Sequence, residues 1–171
     1  MPRLALHLLL ALVLAGGLSA CDSNDEDDPD PRDVAGTYTV STYTFDPDIG
    51  VLDDVSVLDT LNASATSVEI LGGGQVILRY ELQNSDRERL VLGEASVRRE
   101  QVRITFDDGT VTDRRRILLP NRVTFDREGS TLTSEQEVTL NLENFSPRYQ
   151  SSNGAFRDVE GTLTITLTPR E

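Results

Sequence analysis

The chain has 171 residues, a formal net charge of −13, 37% hydrophobic residues, one Cys, one His and no Trp. This length suits a single domain with a modest core. The excess of acidic residues argues against nucleic acid as a partner, because a negatively charged surface repels phosphates.

The first twenty residues have the pattern of an export signal. Arg3 precedes an apolar run at residues 4–16 that is interrupted only by His7. This run is too short to span a bilayer, which takes about 20 residues. A cleaved secretory signal is therefore favoured over a permanent membrane span.

A short motif follows the apolar run. Leu18, Ser19, Ala20 and Cys21 resemble the lipobox of bacterial lipoproteins. The resemblance implies cleavage before Cys21, a diacylglyceryl group on its sulfur and an acyl chain such as palmitate on its new amino group. Two or more acyl chains hold a protein stably on a membrane. The alternative is an ordinary signal peptide with an incidental Cys beside the cleavage site.

Cleavage at this point limits the available chemistry. It removes Arg3 and His7, so that the mature chain has a net charge of −14, no His, no Lys and only the acylated Cys. Disulfides, a thiolate nucleophile, a Cys/His zinc site and a Lys Schiff base are excluded. Strand acids alternate with Thr and Arg rather than lying in apolar runs that raise a carboxyl pKa. We therefore predict no catalytic residue, no metal and no cofactor.

Residues 22–33 contain seven acids, two prolines, one Arg and no apolar side chain. Such a segment cannot pack, which predicts a disordered acidic tether. Calcium binding is a weaker alternative, since Asp22, Asn24 and Glu26 lack the glycine turn and closing Glu of a calcium loop. The predicted domains are a signal peptide at 1–20, the acylated Cys21 with its tether at 21–33, and a folded domain at 34–171.

The location in the envelope rests on two analogies that conflict. Acids after the acylated Cys resemble the surface-export tethers of some bacterial lipoproteins, whereas Asp directly after Cys resembles the inner-membrane retention signal of others. We favour the outer membrane, at its periplasmic face or at the cell surface.

From Val34 onward the hydrophobic pattern has a period of two, as in half-buried antiparallel strands. Turn sequences, including three successive glycines at residues 72–74, separate these segments at short intervals. Gly93 is predicted to mark a β-bulge, residues 117–119 to form a strand that ends at Pro120, and residues 46–62 to hold a short helix or a lid. The predicted fold is all-β: a small up-and-down barrel of eight or nine strands, with a β-sandwich as the alternative.

The first strand carries a second resemblance. Gly36 and Tyr38 resemble the Gly-x-Trp opening of lipocalin-like bacterial lipoproteins, with Tyr in place of Trp. The resemblance implies a lipocalin-like barrel in which Tyr38 packs at the closed end against an Arg from a late strand, for which Arg157 and Arg170 are candidates.

Two functions remain open. In the first, the lipid-anchored barrel binds a small apolar molecule or an envelope lipid, and Val76, Leu78, Tyr80 and Leu82 line the site. In the second, the barrel is packed and contacts another envelope protein or a glycan through its Arg-rich residues 79–127 or through a loop with Phe145, Tyr149 and Phe156. The arginines of this band are otherwise expected to pair across the sheet with Glu81, Glu88, Glu100 and Asp113.

Overall fold

The computed structural model describes residues 30–150 and 154–170, and the predicted signal peptide, lipobox and Cys21 lie outside them. Within these residues no helix is long and apolar enough to cross a bilayer. The described part contains nine strands and one α-helix. They are β1 (Gly36–Pro47), β2 (Val55–Ser56), β3 (Ser67–Ile70), β4 (Gln75–Tyr80), β5 (Arg89–Arg98), β6 (Gln101–Phe106), α1 (Val111–Arg116), β7 (Arg122–Glu128), β8 (Thr131–Leu140) and β9 (Val159–Pro169).

The sheet closes on itself. From β3 to β9 each strand pairs antiparallel with the next, and β1 pairs with β3 on one side and β9 on the other. The short β2 adds to the last part of β1, where Thr44 pairs with Ser56. The result is a closed antiparallel barrel of eight strands with one additional strand, as the period-two pattern predicts. The β-sandwich alternative is wrong, because closure leaves one continuous sheet.

Alternation along the strands builds the core. In β9 the apolar side chains of Leu163, Ile165 and Leu167 point inward and are buried, while the intervening threonines are half-buried on the outer face. The same alternation along the other barrel strands puts one apolar face inside and one mixed polar face outside.

The predicted bulge at Gly93 is wrong. Pairing of β5 with β4 and with β6 is unbroken there, and Leu90 and Leu92 lie outside, 44% and 42% exposed. Gly93 has a different role, since a Cβ atom at this position would lie 2.6 Å from the carbonyl oxygen of Thr105. The break in register lies in β1, between Val40 and Thr42.

One end of the barrel, which we call the closed end, is covered by a 3-10 helix at Pro31–Val34. The Asp30 carboxylate accepts a hydrogen bond from the Arg32 backbone N–H, and the Asp33 carboxylate accepts one from the Asp30 N–H. Val34 is buried in the core. The predicted tether therefore extends too far, because this capping box orders its last four residues.

Candidate functional site

The two ends of the barrel differ in their connections. At the closed end the strands are joined by the short turns 71–74, 99–100 and 129–130. At the other end, the open end, the connections span residues 48–66, 81–88, 107–121 and 141–158. Strand pairing places all four long connections together, because antiparallel neighbours alternate in direction.

The 107–121 connection closes the mouth of the barrel. Residues 117–119 follow α1 and are buried, and we call α1 with these residues the plug. The Tyr80 hydroxyl donates a hydrogen bond to the Asp113 carbonyl at 2.8 Å, and the Arg89 Nη1 atom donates to the Asp113 carboxylate at 2.9 Å. The predicted strand at residues 117–119 is wrong: Leu118 has a φ of +53°, and no strand pairs with this segment in the described part.

The barrel interior is packed. Its cavity measures about 30 Å³ and has an apolar lining that includes Leu78, Leu119 and the Tyr43 ring. This volume has room for roughly one or two water molecules, whereas ligand sites have roughly 300–1,000 Å³. Burial raises the pKa of Tyr43 well above its usual value, and Tyr80 adds a smaller rise. The Tyr43 hydroxyl has no hydrogen-bond partner in the described part.

The four residues predicted to line a ligand site are separated. Val76, Leu78 and Tyr80 are buried and point into the barrel, where Leu78 lines the small cavity. Leu82 lies beyond the end of β4, is half-buried and faces a groove outside the barrel.

This groove is a surface cavity of about 490 Å³ at the open end, large enough for a small ligand. Three of the four long connections form most of it, and the last residue of α1 completes it. Its lining residues are Asp59, Thr60, Leu82, Gln83, Asn84, Ser85, Arg116, Glu143, Asn144, Phe145, Ser146, Pro147 and Gln150. The sequence pattern does not predict this groove, since its residues come from separate connections. The only feature of the sequence that points to it is the group of Asn and Gln residues in two of these connections.

An aromatic cluster supports one wall of the groove. The rings of Phe145 and Phe156 lie 6.4 and 6.0 Å from the ring of Tyr149, and the Arg148 guanidinium lies 4.6 Å over that ring. Tyr149 is only 6% exposed. The predicted contact loop is therefore packed onto the main core through Tyr149, and Phe145 is its member at the groove.

Within the described residues, two arginines of the Arg-rich band form ion pairs. Of the four acids predicted to pair with it, Asp113 binds Arg89, and Glu81 accepts a hydrogen bond from Asn62 instead. The second Arg of the band with an ion pair is Arg79, which binds Glu69 at 2.9 Å.

The residues that resemble the lipocalin motif, Gly36 and Tyr38, lie at the closed end. The Tyr38 hydroxyl donates a hydrogen bond to the Val34 carbonyl at 2.8 Å. Burial raises the pKa of Tyr38, and the positive charge of Arg127 partly offsets that rise. Arg157 does not have this place, because it binds Glu143 at the open end. Arg170 lies at the closed end, where its backbone N–H donates a hydrogen bond to the Thr37 carbonyl at 2.8 Å and its side chain is exposed.

No protein-family model matches the chain, and no curated protein or solved structure matches it either. The functional conclusion therefore depends on the geometry of the groove, the packed interior and the two ends of the barrel.

Proposed function

We propose that this protein is a lipid-anchored module of the bacterial cell envelope that binds an envelope protein or glycan in the groove at the open end of a packed barrel. The observation that carries this proposal is the separation of the two ends. The chain enters the barrel at the closed end, and the groove lies at the opposite end.

The position of the entering helix supports an outward-facing groove. Pro31 lies beneath the turn between β3 and β4, where a Cβ atom on Gly74 would lie 3.4 Å from the proline ring. The chain from Cys21 to Asp30 spans at most roughly 30 Å. An acylated Cys21 would thus hold the closed end near the membrane and leave the groove facing away from it.

The packed interior supports the second of the two functions left open by the sequence, the interaction module. A cavity of about 30 Å³ has no room for a lipid chain unless the plug leaves the mouth. The groove is preformed and needs no such rearrangement. The interaction module is therefore the function that the geometry supports better.

The anchor is tested by Cys21→Ser. We expect this variant to lose acyl incorporation and to leave the membrane fraction of the producing cells, because the protein then lacks the acyl chains that would hold it on the membrane. A variant that still fractionates with membranes contradicts the lipid anchor.

The binding site is tested by a photoreactive residue at Asn84, in the groove, or at Ser130, in a closed-end turn. We expect an adduct in intact cells from position 84 and none from position 130. Adducts from position 130 alone, or from neither position, contradict a partner at the open end.

A further inference from the structure

The groove lining contains four solvent-exposed amide side chains. Gln83, Asn84, Asn144 and Gln150 come from two different connections, and their side-chain amides make no hydrogen bond with the described residues. Each amide offers one acceptor and two donors in a plane. Four such groups around one concave surface match a ligand whose own groups both donate and accept.

An apolar ring lies among these amides. Phe145 is half-buried and lines the groove, and its stacking on Tyr149 fixes the ring in place. Tyr149 is fixed in turn by Phe156 and Arg148. A rigid aromatic surface next to polar groups suits a ligand with an apolar face and a polar edge.

The charges of the groove argue against an anionic ligand. Among the described residues, Arg116 is the only cationic side chain in its lining, and the carboxylates of Asp59 and Glu143 lie in the same lining. Glu143 also binds Arg157 at 2.9 Å. A phosphorylated or polyanionic partner would require several unpaired cations at this place.

The backbone of the groove argues against a peptide added as a strand. Strand addition needs the exposed edge of a sheet. The groove is formed by connections and the last residue of α1, and the strands below it belong to a sheet that closes into a barrel. We propose that the ligand is a neutral oligosaccharide, whose hydroxyls bind the amides and whose C–H face lies on Phe145. This assignment rests on the proposed function of the groove.

The test is calorimetric titration of the full-length mature acylated protein in detergent micelles. The probes are chitotriose, maltotriose, mannotriose and uncharged glycan fragments of peptidoglycan. At least one is expected to bind, and Asn84→Ala and Asn144→Ala are each expected to weaken that binding by about tenfold, the effect of one lost hydrogen bond. Phe145→Leu is expected to weaken it while the thermal unfolding temperature stays close to that of the unaltered protein.

The matched control is Gln101→Ala, which removes an amide that binds Asp126 on the outer wall of the barrel. This variant is expected to bind the probe unchanged. The assignment is overturned if no probe binds at about 10 mM, which corresponds to an interaction weaker than about 3 kcal/mol. It is also overturned if the groove variants bind as tightly as the control.

The photocrosslinking at Asn84 separates this assignment from the proposed function. Adducts with a protein and no saccharide binding overturn the oligosaccharide and leave the groove as a binding site. Absence of both adducts and saccharide binding overturns the two together.

Discussion

Each end of the barrel is covered by a short helical segment, but the connections between strands are short at the closed end and long at the open end. At each end the hydroxyl of a strand tyrosine donates a hydrogen bond to a carbonyl of a short helical segment, Tyr38 to Val34 and Tyr80 to Asp113, both at 2.8 Å. The closed end continues into short turns, while the open end continues into long connections. The same kind of tyrosine–carbonyl hydrogen bond therefore holds a helical segment at both ends, and the groove lies at the open end.

The two ends also differ in how well their polar groups are supplied with hydrogen-bond partners. The capping box of Asp30 and Asp33 satisfies the helix at the closed end. At the open end the Nε atoms of Arg89 and Arg114 are buried without a hydrogen-bond partner in the described part. Burial lowers the pKa of Arg114, and the nearby Asp108 partly offsets this effect. Because unsatisfied buried groups cost free energy, we expect the open end to have the lower local stability.

The largest effect on stability is expected from truncating a buried side chain of the plug. Ile117 is fully buried, so Ile117→Ala should lower the free energy of unfolding by about 2–5 kcal/mol. The measurement is urea unfolding of the mature protein. Leu90→Ala on the outer wall is the control and should change the free energy by only about 0.5 kcal/mol. Equal losses in the two variants would show that the plug is not part of the core.

The two hydroxyl contacts are compared by Tyr80→Phe and Tyr38→Phe. Each should cost about 1–3 kcal/mol, because a carbonyl loses its partner. Hydrogen exchange followed by mass spectrometry should show faster exchange at residues 111–119 in the first variant and at residues 31–35 in the second. If either variant changes the exchange of both ends equally, the ends are not independent.

The smallest effect is expected at Asp46, near the open end of β1. Asp54 is the main cause of its raised pKa, with smaller contributions from partial desolvation, Asp48 and Glu137. The folded pKa lies above the unfolded one, so ionisation of Asp46 destabilises the fold above that pKa. Asp46→Asn should therefore raise the unfolding temperature at pH 7, and the gain should vanish as the pH falls below about 3, where the carboxyl is protonated in both states.

Glu128→Gln, at the closed end, is the control for this prediction. Salt at about 1 M should reduce the gain from Asp46→Asn, because exposed charges are screened. A gain that is constant from pH 7 to pH 4 would rule out charge repulsion as its cause.

The period-two pattern predicted the barrel because strand alternation is a local property. Residues 76–80, 131–140 and 159–168 show it directly, and each lies within an observed strand apart from small differences at the ends. Leu90 and Leu92 misled the prediction, since apolar side chains on an outer face imitate an inward register. Ser41 carries no local signal of a bulge, unlike a glycine.

The open end was less predictable. The plug combines a six-residue helix with buried residues 117–119, and their apolar run reads locally as a strand. The groove is assembled from segments far apart in sequence, such as Asn84 and Asn144, so no spacing along the chain indicates it. Whether an apolar molecule fits inside the barrel depended on side-chain packing, which alternation does not determine.

The claim that the barrel is packed, with its binding site outside, is tested most directly by the contents of the protein itself. The mature protein is purified gently from its native membrane, extracted with organic solvent and examined by mass spectrometry for retained small molecules. We expect no apolar compound at a stoichiometric level beyond the acyl chains on Cys21. A defined apolar compound at one molecule per chain would contradict the packed interior and would indicate that the binding site lies inside the barrel.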